Sequence, residues 1–202
     1  MTKDITGIIL CGGKSTRMQS NKALLKLGDQ IVVEIVANKM KSVFSKVLIS
    51  ANNSEDYNFL NLSIIQDEFV NRGPLAGIHA ALKSSETESN FIISCDMPLI
   101  PSDLIEHIIN YKTDKEIVLP SADGKIQQLC GVYSKSVITE IVKIFVQSEN
   151  DKNIKGSVYE LIDRVPTEFT DVDNQSFYNE NIFHNMNLPD DYEYIKNIYE
   201  KL

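Results

Sequence analysis

Residues 6–22, TGIILCGGKSTRMQSNK, decide how the rest of the chain is read. The run Gly7, Ile8, Ile9, Leu10 is short, β-branched and apolar without alternation, the character of a strand buried on both faces. Gly12 and Gly13 mark where such a strand ends. Lacking Cβ atoms, they let the backbone approach a ligand and present its N–H groups, while Lys14, Arg17 and Lys22 bring positive charge to the same place. The ligand that suits such a loop is a polyphosphate.

Two familiar phosphate loops do not fit. The Walker A pattern G-x-x-x-x-G-K-[ST] would end at Gly13, Lys14 and Ser15, but Gly7 lies six positions before Gly13 where the pattern needs five. A P-loop GTPase is thereby excluded. The dinucleotide pattern G-x-G-x-x-G fails because Gly12 and Gly13 are adjacent and the next glycine is Gly28.

With 202 residues, 43% of them hydrophobic, the chain suits a single domain spanning 1–202 that buries roughly 70% of its unfolded surface. A net charge of -8 argues against a general nucleic-acid or anionic-membrane surface, so basic residues gathered in one loop stand out. Cys11, Cys95 and Cys130 have no C-x-x-C spacing and sit in or beside apolar runs, as reduced core thiols do. No apolar run approaches the roughly 18 residues of a membrane span and no signal-peptide pattern opens the chain, so a cytoplasmic location is expected.

Along the chain, strand and helix patterns alternate. A Gly28-Asp29 turn precedes a helical stripe of Val32, Val33, Val36, Met40 and Val43; a strand follows at 46–51 and another at 63–66, ending at Asp67. Gly73 and Pro74 bend the chain into a helix through Lys83, and a further buried strand, 91–95, ends at Asp96-Met97-Pro98 before a helix expected to be capped by Ser102. In open parallel sheets ligands bind outside the carboxyl ends of the strands, where Gly12, Asn52, Asp67 and Asp96 all fall. A carboxylate at 96 opposite a basic glycine loop is what a Mg²⁺-polyphosphate site requires. Farther on, the runs 116–119 and 129–133 flank an Asp123-Gly124 turn signal and suggest a hairpin-like pair in a mixed sheet, followed by helices at 137–146 and around Val158, Leu161 and Ile162. His79, His107 and His184 share no ligand spacing and are expected on helix faces or a loop; Tyr192, Tyr194 and Tyr199 read as a packed terminal helix.

Taken together, Leu10, Cys11, Gly12, Gly13, Arg17, Met18 and Lys22, then Asp67, the stretch Gly73-Pro74-Leu75-Ala76-Gly77, Cys95-Asp96-Met97-Pro98, Gln127-Gln128-Leu129 and the closing Asn185-Met186-Asn187-Leu188-Pro189-Asp190-Asp191 resemble the bacterial molybdenum cofactor guanylyltransferases over nearly the whole chain. The resemblance implies an α/β, three-layer Rossmann-like nucleotidyltransferase fold with a mostly parallel, mixed central sheet. It implies GTP and molybdopterin as substrates, Mg²⁺ as cofactor, and molybdenum-insertion proteins and molybdoenzyme apoproteins as candidate partners of an expected monomer. It also assigns roles. Leu10, Cys11, Gly12 and Gly13 hold guanine and ribose through their backbone, Arg17 and Lys22 neutralise phosphates, and Asn52 and Asp67 contact the nucleotide. Asp96 carries the metal, with Arg17, Lys22 and Asp96 as the catalytic set, and Asn185 and Asn187 face the molybdopterin. The chain departs from the family pattern at Gln19, which stands where glycine is usual, at Gln128 in the proline position, and at Leu188, which replaces a threonine. Without that hydroxyl, Asn187 is a candidate cap for the last helix, which competes with its reading as an acceptor contact. Other nucleotidyltransferases, using CTP or a sugar phosphate, and non-catalytic nucleotide-binding regulators share part of these motifs; Gly12 and the N-x-N pair speak against the first, and retention of Lys22 and Asp96 against the second.

Overall fold

A computed structural model describes residues 4–12 and 21–201. In chain order the strands are β1 (Ile5–Leu10), β2 (Lys26–Leu27), β3 (Gln30–Ile31), β4 (Val47–Ser50), β5 (Ser63–Ile65), β6 (Ser89–Ser94), β7 (Ile117–Ala122), β8 (Lys125–Ile126), β9 (Cys130–Ser134) and β10 (Thr167–Asp171). The helices are α1 (Val32–Val43), α2 (Pro74–Ser84), α3 (Ser102–Ile109), α4 (Ile138–Asn150), α5 (Val158–Ile162) and α6 (Pro189–Tyr199). The main sheet has the order β10-β7-β9-β6-β1-β4-β5, with β8 paired to β7.

The sequence pattern explains the layering. Successive side chains of a strand point to opposite faces, so Ile9, Ile49 and Ile93 enter one apolar cluster with α1 and α3, while Ile8, Leu48 and Ile92 enter another with α2, α4 and α5. Both faces of the sheet are therefore covered, which is why its central strands read as unbroken apolar runs. A third cluster, Leu27, Val32, Ile35, Met186 and Ile195, docks α6 against the outer side of α1 and the small β2-β3 hairpin.

β1 pairs in parallel with both β4 and β6, and β4 with β5. The chain leaves β1 toward β4 and β5 and then returns through α2 to β6 on the opposite side, making β1 the place where strand order reverses. A crevice opens at such a switch point. Beyond β6 the sheet is mixed, since β9 runs antiparallel to β6 and to β7. The expected pairing of the two runs around Asp123-Gly124 is present as β7 with β9, in the register Ile117 to Tyr133. The tight turn itself, with φ of 49° at Asp123 and 69° at Gly124, joins β7 to the short β8. Positive φ at both central residues is the turn geometry that Asp-Gly permits.

Two expectations are corrected. α3 is not capped by Ser102: its N-cap is Pro101 and Ser102 is the first helical residue. β10 was not anticipated, because its sequence, TEFTD, has no apolar run; it is an edge strand held by parallel pairing to β7.

His79, on α2, is 3% exposed and packs edge-on against Phe69 at 4.9 Å, and its Nδ1 has no hydrogen-bond partner. Burial lowers its pKa from the usual 6.5, opposed by Glu68 and reinforced by Lys83. For a base held neutral in the fold, stability is fully present above 6.5 and is lost as pH falls toward the lowered native value. Urea unfolding at a series of pH values should show the protein losing stability below 6.5, and His79→Leu losing less over the same window.

Candidate active site

All strands of the main sheet except β8 and β9 run in one direction, so Gly12, the residues after β4 and β5, and Asp96 gather on one edge. Backbone bonds keep that edge aligned: Cys11 N–H donates to Ser50 O at 2.8 Å, Cys95 N–H to Leu10 O at 3.1 Å and Ala51 N–H to Ile65 O at 2.9 Å. Asp96 is 5% exposed at the end of β6. A buried carboxylate requires partners, and among the described residues Asp96 has two. Ser94 Oγ donates to its Oδ1, and the Lys22 ammonium forms an ion pair with its Oδ2.

Lys22 reaches there from a short 3-10 turn, Lys22–Leu24, and donates also to Asn187 Oδ1 at 3.1 Å. Asn187 arrives from the other end of the chain. Met186 N–H donates to Asp96 O at 3.3 Å while the Met186 side chain is buried in the third cluster, so the segment before α6 is fixed both to the site and to the core. Lys22, Asp96 and Asn187, distant in sequence, thus form one contact set at the switch point. Asn185, two residues earlier, is half-buried in the same segment.

A second pair lies across β1. Asn52 Nδ2 donates to Asp67 Oδ2 at 2.8 Å and Asn52 Oδ1 accepts from Asp67 N–H at 3.0 Å, closing a reciprocal clasp between the ends of β4 and β5. α2 passes close beside it, because Gly77 carries no side chain: a Cβ there would lie 2.7 Å from Ser50 Oγ and 3.6 Å from Asp67 Oδ1. Cys11 is half-buried beside Cys95; a hydrogen bond between the thiols, then burial, raises the Cys11 pKa well above the ordinary thiol value and keeps it protonated. Leu10 and Gly12 flank it at the end of β1, and among the described residues nothing lies within 4 Å of where a Gly12 Cβ would stand. Gly13 and Arg17, expected in the same loop, lie outside the described residues.

The chain as a whole is similar to known proteins. The model of the MobA-like NTP transferase domain matches residues 7–163. The chain belongs to that family. A protein of Carboxydothermus hydrogenoformans named "Probable molybdenum cofactor guanylyltransferase" is 33% identical over 98% of this chain and 98% of its own length. One of the same name from Clostridium perfringens strain 13 is 33% identical over 92% of both. In fold, the crystal structure of Molybdopterin-guanine dinucleotide biosynthesis protein A from Archaeoglobus fulgidus superposes with a TM-score of 0.82, covering 98% of this chain and 100% of that one at 22% identity. As a MobA-like NTP transferase, the chain is a nucleotidyltransferase with the three-layer fold and mixed, mostly parallel sheet expected from its sequence.

Among the described residues no group of three or more His, Cys, Asp and Glu side chains converges to hold an ion. A hard divalent cation of the Mg²⁺ type asks for no such group, since it takes one or two carboxylates and fills its remaining positions with phosphate oxygens and water. Asp96 and Asp67 are carboxylates at the ends of β6 and β5 on that edge. His79 and His107 lie on helices and His184 in a loop, away from any such group. No helix among the described residues is long and apolar enough to cross a membrane. Sequence reading did not single out Ser94, which orients Asp96, because a lone serine closing an apolar strand carries no distinguishing signal.

The alternative reading of Asn187 as the cap of the last helix does not hold. Leu188 occupies the N-cap position of α6, and Asp191 serves the orphan donors, accepting from Leu188 N–H at 2.8 Å and Asn187 N–H at 3.0 Å. The Asn187 side chain is left to Lys22. Burial acts to raise the Asp191 pKa, but these two bonds and the His184 side chain prevail and lower it from 3.8. Its stabilising contribution is therefore present above 3.8 and lost as pH falls through the lower native value. Asp191→Ala should cost about 1 kcal/mol in chemical denaturation at neutral pH, and Asn187→Ala less than about 0.5 kcal/mol.

Proposed function

We propose that this nucleotidyltransferase transfers GMP from GTP to the terminal phosphate of molybdopterin, forming the guanine dinucleotide cofactor. An oxygen of the acceptor phosphate bonds to the α-phosphorus of GTP, the bond to the β-phosphate bridging oxygen breaks, and pyrophosphate leaves with that electron pair. The observation that carries the reading is the convergence of Lys22, Asp96 and Asn187 at the switch point. The names of the full-length relatives support guanine as the base and the molybdenum cofactor as acceptor.

Such a reaction asks a protein mainly for placement and charge neutralisation. In this reading Leu10, Cys11, Gly12 and Gly13 present backbone to guanine and ribose, and the Asn52-Asp67 clasp holds its carboxylate against the nucleotide. Lys22 and Arg17 take the phosphates, while Asn185 and Asn187 line the acceptor side. Amides suit a pterin, since each offers donors and an acceptor without adding charge to an acidic protein. Asp96 would hold Mg²⁺, which when bound supplies charge neutralisation at the phosphate oxygens. In the described conformation Lys22 stands on the Asp96 carboxylate, so it must move from that oxygen toward phosphate as the nucleotide enters. The unit is read as one domain over 1–202, acting as a monomer, and three unbridged thiols suit a reducing cytoplasmic setting.

Incubation with Mg²⁺, molybdopterin and each of the four nucleoside triphosphates, with the product identified by mass, tests the assignment; a guanine dinucleotide is expected, and a cytosine product alone would replace it. At equal concentration Mg·GTP should raise the melting temperature more than Mg·CTP. Asp96→Asn should keep the fold and lose about 10²-fold or more in turnover, and near-normal turnover would place the metal elsewhere.

A further inference from the structure

The nine residues between Cys11 and Asn21 belong to the glycine loop, and the two ends of that segment meet on a single side chain. Tyr57, 2% exposed, stands in the 3-10 turn Glu55–Leu60 between β4 and β5. Its hydroxyl donates to Cys11 O at 3.4 Å and accepts from Asn21 Nδ2 at 3.1 Å. The same Asn21 amide reaches Asp56 Oδ2 at 3.2 Å, and its Oδ1 accepts from Ala23 N–H at 3.2 Å, capping the turn that begins with Lys22. The support under Tyr57 is itself tied down, since Lys41 Nζ, on α1, donates to Leu60 O at 2.9 Å. Burial, followed by the nearby Cys11 thiol, pushes the Tyr57 pKa up, so the hydroxyl keeps the proton it donates.

We propose that Tyr57 and Asn21 are positioning residues, a latch that joins the two ends of the glycine loop and sets the Lys22 ammonium against the β- and γ-phosphates of the bound nucleotide. The inference rests on the phosphate role proposed above for that loop and for Lys22. Its physical basis is pre-organisation: Cys11 and Asn21 are already held on Tyr57 in the folded protein, and Asn21 caps the turn that carries Lys22, so the ordering of that turn is not charged to nucleotide binding. It also fixes Lys22, whose turn is capped by the residue that the latch holds. Neither side chain needs to touch the nucleotide.

Calorimetric titration with Mg·GTP and Mg·GMP separates this role from a general loss of structure. Tyr57→Phe keeps the buried ring and removes the hydroxyl; Asn21→Ser keeps a capping oxygen and removes the amide donor. Each should weaken GTP binding about three- to tenfold and GMP binding less than about twofold, the loss expected of one hydrogen bond felt only where the outer phosphates are held. The double variant should be little weaker than the weaker single, because both break the same chain of bonds. Wild-type affinity for GTP in both singles, equal losses for GTP and GMP, or additive losses in the double variant would overturn the latch. Should Tyr57→Phe fail to fold, Asn21→Ser carries the same comparison alone. If the wild-type protein prefers another base, the proposed guanylyl transfer fails, while the same triphosphate and monophosphate pair of that base still tests the latch.

Discussion

A carboxylate taken almost wholly out of water needs opposite charge and hydrogen-bond donors around it, and the Asp96 side chain imposes that need on the rest of the molecule. Its two oxygens are served from both directions along the chain: by Ser94 from its own strand, and by Lys22 from the segment that follows β1. Lys22 then recruits Asn187, which brings the start of α6 to the sheet edge. Removing Ser94 or Lys22 would leave an oxygen of the buried Asp96 carboxylate without that partner, which costs more than the bond itself contributes. The contact set is therefore a mutual constraint among three distant stretches of chain.

What allows that constraint to be met is the topology beneath it. The reversal of strand order at β1 sends the connections that follow β1 and β6 apart, the arrangement in which a crevice forms beyond the carboxyl ends of the strands. Close packing then brings the flanking helices to the crevice. Gly77 lets α2 approach Ser50 and Asp67, and Met186 anchors the incoming segment of α6 in an apolar cluster with Leu27, Val32, Ile35 and Ile195. Apolar burial, which is not directional, supplies the docking energy, and the few polar contacts fix the register.

The arrangement suits chemistry in which the protein forms no bond with the reactants. A movable ammonium, a fixed carboxylate and neutral amides are suited to holding two phosphate-bearing molecules in line, the task set by phosphoryl and nucleotidyl transfer. Two lines support the functional reading: family membership over residues 7–163 and relatives that match end to end. The site adds a physical account of why Lys22, Asp96 and Asn187, distant in sequence, stand together.

The sequence alone determined what depends on local pattern. Continuous apolar runs ending in glycine or aspartate reported strands buried on both faces, their alternation with helical stripes reported parallel winding, and the strand-end rule then placed Gly12, Asn52, Asp67 and Asp96 on one edge. Asp123-Gly124 reported its turn because few residue pairs tolerate positive φ twice in succession. Tertiary structure decided whatever depends on partners far away in sequence. TEFTD became β10 because β7 offered an open edge; Thr and Phe suit a strand, but five residues without an apolar run carry too little pattern to announce one. The N-cap of α3 is Pro101 and not the expected Ser102, and that of α6 is Leu188 and not Asn187, because capping depends on where the backbone turns into the helix and not on residue type alone. The same freedom let the Asn187 side chain turn to Lys22. The pairing of Tyr57 with both Cys11 and Asn21 was illegible for the same reason: a hydrogen bond requires atoms within about 3.5 Å in suitable directions, and only the folded chain fixes those distances.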